Sequence, residues 1–152
     1  MDIRVDGHRL LHVAAYSDSP RVAALLIERG AAIDVRESNF GATPLGFAMY
    51  AQESRMIELL SRVSREVFNL TYLGNVERLR ELLSAEPDLA RVVKESRTPL
   101  MGLPDDEARA REIVELFLAH GADPTLRNKE GLTAAECARK RGLEEAAELL
   151  RG

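Results

Sequence analysis

The chain has a single cysteine, Cys137, in 152 residues. A lone thiol cannot close an internal disulfide and cannot by itself hold a metal. Histidine is scarce too: His8, His12 and His120 are the whole set. No cysteine or carboxylate stands at ligand spacing with them, so no metal centre is expected. Lysine is nearly absent, 3 residues against 18 arginines, a usage associated with GC-rich bacterial genomes. The net charge of −4 and the lack of a concentrated basic stripe argue against a nucleic-acid-binding surface. No apolar run reaches the ~18 residues that a membrane-spanning helix requires, and the first residues lack the basic and apolar regions of a signal peptide. The expected compartment is the cytoplasm, with no membrane partner. Catalytic constellations are missing as well. No Ser or Cys comes with a placed His and acid, no glycine loop suits a nucleotide, and no paired carboxylates are tied to a pocket. Neither an enzyme nor a cofactor is expected.

What is present is repetition over an apolar content of 45%, enough for a continuous core. In Phe40-Gly41-Ala42-Thr43-Pro44-Leu45, Gly41 supplies a backbone suited to a turn. Thr43 then offers a hydroxyl cap just ahead of Pro44, whose fixed φ fits the first position of a helix. Related runs occur at Gly7-His8-Arg9-Leu10-Leu11-His12, Ser96-Arg97-Thr98-Pro99-Leu100 and Gly131-Leu132-Thr133-Ala134-Ala135. From Arg9 to Thr43 is 34 residues, from Thr98 to Thr133 is 35, and from Thr43 to Thr98 is 55. The first two are one repeat of about 33 residues with small insertions, and the third is two repeats with a deletion.

In these runs the chain resembles the ankyrin-repeat family, whose unit is a turn, a short helix opened by Thr-Pro-Leu-His, a second helix and an outward loop. Repeat one carries Leu11-His12-Val13-Ala14-Ala15, then Arg21-Val22-Ala23-Ala24-Leu25-Leu26-Ile27, then Gly30-Ala31-Ala32-Ile33-Asp34. Repeat four closes on Ala119-His120-Gly121-Ala122-Asp123. The resemblance covers nearly the whole chain and implies an all-α ankyrin-repeat solenoid of about five helix-turn-helix repeats in a single domain, 1–152. The repeats fall at about 4–36, 37–63, 64–92, 93–127 and 128–152. Met1 to Asp6 read as the tail of a preceding repeat, with the first helix starting near Leu10. The second repeat is shortened, because Ser64-Arg65-Glu66 leads straight into the next helix without an outward finger. Gly102 and Pro104 interrupt the first helix of the fourth repeat. Pro104-Asp105-Asp106-Glu107 then opens a long second helix, the acidic residues capping its positive end. Repeat five has the polar surface of a terminal cap. Repeat one has no such cap before it, which points to a missing upstream repeat, a partner, or self-association at that N-terminal repeat.

The resemblance also implies function. Ankyrin groups dock partners on a concave groove formed by the first helices and the turn tips. Tyr16, Tyr50 and Tyr72 all fall at the end of a first helix, facing that groove. A tyrosine joins a large apolar ring to a polar tip at small entropic cost, which suits it to binding hot spots. The alternative at these positions is stacking between repeats for stability alone. Phe40, Arg36 and Glu37 are expected to contribute from the fingers, with Phe40 folding back onto a neighbouring finger as its other reading. Val13 and Phe47 share a place expected to be core. His12 is expected to bond neighbouring backbone, and Cys137 to be a small buried hydrophobe. The expected function is binding of a partner protein, with a regulatory or interaction segment of a larger enzyme or sensor as the alternative.

Overall fold

The computed structural model describes the backbone of residues 3–151 and the side chains of residues 9–151. Met1, Asp2 and the His8 side chain lie outside the described residues. Nine α-helices occur among those described: α1 Ile3–Tyr16, α2 Pro20–Glu28, α3 Pro44–Ala51, α4 Ser54–Ser61, α5 Val67–Leu73, α6 Val76–Ala85, α7 Glu107–Ala119, α8 Ala134–Lys140 and α9 Glu144–Arg151. Short 3-10 helices cover Pro87–Arg91 and Pro99–Gly102. The fold is all-α, with no β-strand among the described residues.

The threonine turns work as local start signals. Thr43 takes an extended backbone and its hydroxyl accepts from the Gly46 N–H at 3.2 Å, so α3 begins at Pro44. Gly41 ahead of it has φ +65°, a conformation that a residue with a Cβ rarely adopts. Thr133 accepts from the Glu136 N–H while the Glu136 carboxylate accepts from the Thr133 N–H at 2.8 Å, a reciprocal box that sets the start of α8. Repeat one has no such signal, and there the structure corrects the expectation. Helix α1 starts at Ile3, so Gly7 sits inside a helix and not at a turn, and residues 3–6 are not a loop. The cause is local: no proline interrupts residues 3–9, and one interior glycine costs only about 1 kcal/mol against helix continuation.

The chain forms two compact units, Met1–Glu66 and Val67–Gly152. In the first, α1 packs beside α3 and α2 beside α4, with α1 on α2 and α3 on α4. The result is an inner layer of first helices against an outer layer of second helices. Leu11, Ala14, Ala15, Ala23, Leu45, Ala48, Met56 and Leu60 fill the space between them. Alanines on the inner helices let the backbones approach closely. In the second unit the inner row is α5, the 3-10 turn Pro99–Gly102 and α8, and the outer row is α6, α7 and α9. Leu70, Leu79, Leu83, Leu100, Ile113, Val114 and Phe117 are buried between the rows. The interrupted first helix of repeat four is thus a single 3-10 turn that still holds its place in the row. The shortened second repeat is equally plain, because only Arg62 to Glu66 connect α4 to α5.

Where that finger is missing, the base of the first finger bonds to the connection. Asp34 accepts from Ser64 Oγ at 2.6 Å and from the Arg65 N–H at 2.7 Å, and Arg36 pairs with Glu66. A second recurrent device joins neighbouring repeats within each unit: an arginine reaching back to the turn of the preceding helix pair. Arg55 donates to Asp18 at 2.6 Å, Arg109 to the Gly74 carbonyl at 3.2 Å, and Arg141 to the Leu103 carbonyl. The acidic cluster divides its roles accordingly. Asp106 caps α7 by accepting from the Arg109 N–H at 3.0 Å. Glu107 instead accepts from the Ala146 N–H at 2.8 Å, and Asp105 pairs with Arg141 at 2.6 Å. Only one of the three carboxylates caps the helix as expected.

Candidate functional site

Tyr16 is the last residue of α1, and Tyr50 and Tyr72 are the penultimate residues of α3 and α5. The helix pattern puts all three at one place in their helix pairs, two in the first unit and one in the second. Their exposures are 56%, 83% and 54%. Each of the three residues thus keeps about half or more of its surface open to solvent. The Arg141 guanidinium lies 6.0 Å from the centroid of the Tyr72 ring.

The first finger, residues 35–42, is built from its own polar groups. Arg36 donates to the Gly41 carbonyl at 2.8 Å as well as pairing with Glu66. The Glu37 carboxylate accepts from the N–H groups of Asn39, at 2.9 Å, and Phe40. Burial pushes the Glu37 carboxyl up, but the N–H groups of Asn39, Phe40 and Gly41 outweigh it and hold the group below its ordinary value. Both charged side chains are therefore committed to the shape of the finger. What the finger presents is Phe40, 81% exposed. Its ring meets Phe47 of α3 edge-on at 6.4 Å, and not a neighbouring finger. Phe47 in turn packs edge-on against His12 at 5.2 Å, and His12 Nε2 donates to the Ala42 carbonyl at 3.1 Å. His12 thus bonds neighbouring backbone as expected and props the finger against the first helices. His120 donates from Nδ1 to the Leu116 carbonyl at 2.8 Å. No metal-binding cluster occurs among the described residues.

Of the two residues expected to be partly buried and nearer core than contact, one is not. Val13, one helical turn before Tyr16, is 60% exposed, because no helix pair covers that side of α1 among the described residues. Phe47, at the same place in the next repeat, is half-buried. Cys137 is half-buried as well and lies 3.7 Å from Asn128 Nδ2. Burial, then the Glu130 carboxylate, push its thiol above the ordinary value, so it stays protonated at neutral pH. Around Val13 the first unit exposes Leu10 on the same helix, with Val22 and Leu25 on α2. Sequence reading anticipated an uncovered N-terminal face but misplaced Val13 within it.

Residues 6–38 match the family model for the ankyrin repeat. A curated relative, "Putative ankyrin repeat protein YahD" of Escherichia coli (strain K12), is 40% identical over 81 residues, 51% of this chain and 40% of the relative. The alignment therefore takes in well under half of that relative's length. Among the described residues, no helix is long and apolar enough to cross a membrane. Residues 6–38 thus match an ankyrin repeat, and the stacked helix pairs and threonine-capped first helices that follow are similar to that family's architecture.

Proposed function

We propose that the chain is a non-catalytic binding protein of the bacterial cytoplasm, engaging a partner protein through the ends of its first helices and its finger. Ankyrin repeats are generally protein–protein interaction modules. The observation that carries the reading here is the repeated exposure of Tyr16, Tyr50 and Tyr72 at equivalent helix ends. Large rings held out by rigid helices lose little freedom on binding. Phe40 adds a fourth exposed ring, braced by Arg36 and Glu37 from behind.

The test compares the wild-type chain with its Tyr16→Ala, Tyr50→Ala, Tyr72→Ala variant, both shown to be folded by circular dichroism. A protein captured from the host lysate by the first is purified and titrated against each. Loss of several kcal/mol of binding free energy is expected if the tyrosines are hot spots. Equal affinity for both chains, with a lowered melting temperature in the variant, would return the rings to a structural role.

The exposed apolar side of α1 and α2 supports a second contact. Leu10 and Val13 on α1, and Val22 and Leu25 on α2, are exposed on the first helix pair, with no covering element among the described residues. We infer that this side mediates self-association.

A further inference from the structure

The second unit carries an open groove of about 420 Å³ between the turn at Lys94–Arg97, the turn at 128–131 and α8. Its lining is mixed. Met101, Leu132 and Cys137 offer an apolar floor, and Arg97, Lys129 and Lys140 stand exposed around it. All three lysines of the chain, Lys94, Lys129 and Lys140, are at or beside this groove. Arg55, Arg111 and Arg127, away from the groove, each sit within ion-pair distance of a carboxylate, as does Arg141 at its edge. Lys94, Arg97, Lys129 and Lys140 have no ion-pair partner among the described residues. Four cations without an ion pair among the described residues, Lys94, Arg97, Lys129 and Lys140, are thus at or beside this groove.

The wall that carries Arg97 is held rigidly. Lys94 and Arg97 exchange both backbone hydrogen bonds, at 2.9 and 2.8 Å, around Glu95 and Ser96. Those two central residues have φ of +50° and +64°, the left-handed pair that a tight two-residue turn demands and that is ordinarily left to Asn and Gly. Strain of this kind persists only where the surroundings over-determine it, and it recurs at ligand clamps. At the other end, Arg141 lines the groove and also lies against the exposed ring of Tyr72.

We propose that this groove receives an extended acidic segment of a partner protein, one aliphatic side chain seated on Met101 and Leu132 and flanking carboxylates meeting Arg97, Lys129 and Lys140. The proposal rests on the reading of the chain as a protein binder and supplies the chemistry of the segment bound. Glu95 and Glu130 stand among the cations. They would repel a continuous phosphate backbone, whereas a peptide with spaced carboxylates and amide N–H groups between them can satisfy both signs. The groove therefore favours an acidic peptide over a nucleic acid.

The test uses the whole chain against a phage-displayed random dodecapeptide library. Enriched peptides are expected to be net acidic around a single aliphatic residue. A synthetic peptide of the enriched sequence, followed by fluorescence anisotropy, should bind about tenfold or more weakly to R97E/K129E/K140E and weaken with rising salt. The three sites are exposed, so the variant should keep its circular dichroism and melting temperature. A second variant, E95K/E130K, should bind the same peptide more tightly. No enrichment, enrichment without acidic bias, or affinity indifferent to charge reversal would each overturn the proposal. So would oligothymidylate binding as strong as the peptide's and lost in the triple variant. Peptides that depend on Tyr16 and Tyr50 but ignore the cations would remove this proposal and leave the partner-binding reading standing.

Discussion

Glu136 does three things at once: it accepts from the Thr133 N–H, lies 3.3 Å from Arg127, and occupies the first turn of α8. The Thr133 N–H, more than the Arg127 charge, holds its carboxyl below the ordinary value of 4.5, against the opposing effect of burial. A depressed carboxylate contributes stability that is present above 4.5 and lost as the pH falls through its lower folded value. Glu136→Gln keeps the acceptor but loses the charge. The variant should therefore melt below wild type at neutral pH, with the gap closing as the solution is acidified below 4.5. A gap independent of pH would mean that the charge contributes nothing. Such caps were legible from residue order alone, because a cap bonds within three or four positions. The arginine bridges were not, because Arg55 and Asp18, or Arg141 and Asp105, meet only when one repeat lies beside the next. Arg36 and Glu37 show the same limit, since turn position announces exposure but not whether the charge is already bonded within the finger.

At the scale of the element, α7 is the centre of the second unit's outer row, packed against both α6 and α9. Ala110, Ile113, Val114 and Phe117 form its buried stripe, and Phe117 is among the largest fully buried side chains. Phe117→Ala leaves a cavity that stacked helices cannot close without moving, so it should cost about 3–5 kcal/mol in urea unfolding. A loss below ~1 kcal/mol would mean that the row repacks freely. The spacing of that stripe, with its acidic start and Gly-Ala-Asp end, made α7 readable as a helix. The start of α1 was misread because a glycine can mark a turn or sit in a helix at modest cost, and only the accumulated hydrogen bonds of a longer helix decide between them.

For the molecule as a whole, the proposed self-association through the exposed side of α1 and α2 makes a prediction about assembly. Sedimentation velocity over rising concentration should show a dimer for the wild-type chain and a monomer for V13E/L25E. The two substitutions fall on exposed sites and should leave the melting temperature nearly unchanged. A wild-type chain that stays monomeric throughout would end the self-association reading. Repeat architecture, helix pairs, the missing finger and the interrupted fourth repeat all followed from the sequence by itself, because each depends on turn chemistry and apolar spacing within a few tens of residues. Which aromatic rings stay in solvent, which arginines are consumed by neighbouring turns, and where unpaired lysines gather were decided only by tertiary structure. Burial and ion pairing depend on what the adjacent repeat brings within a few ångströms, and one repeat's sequence does not contain its neighbour's surface.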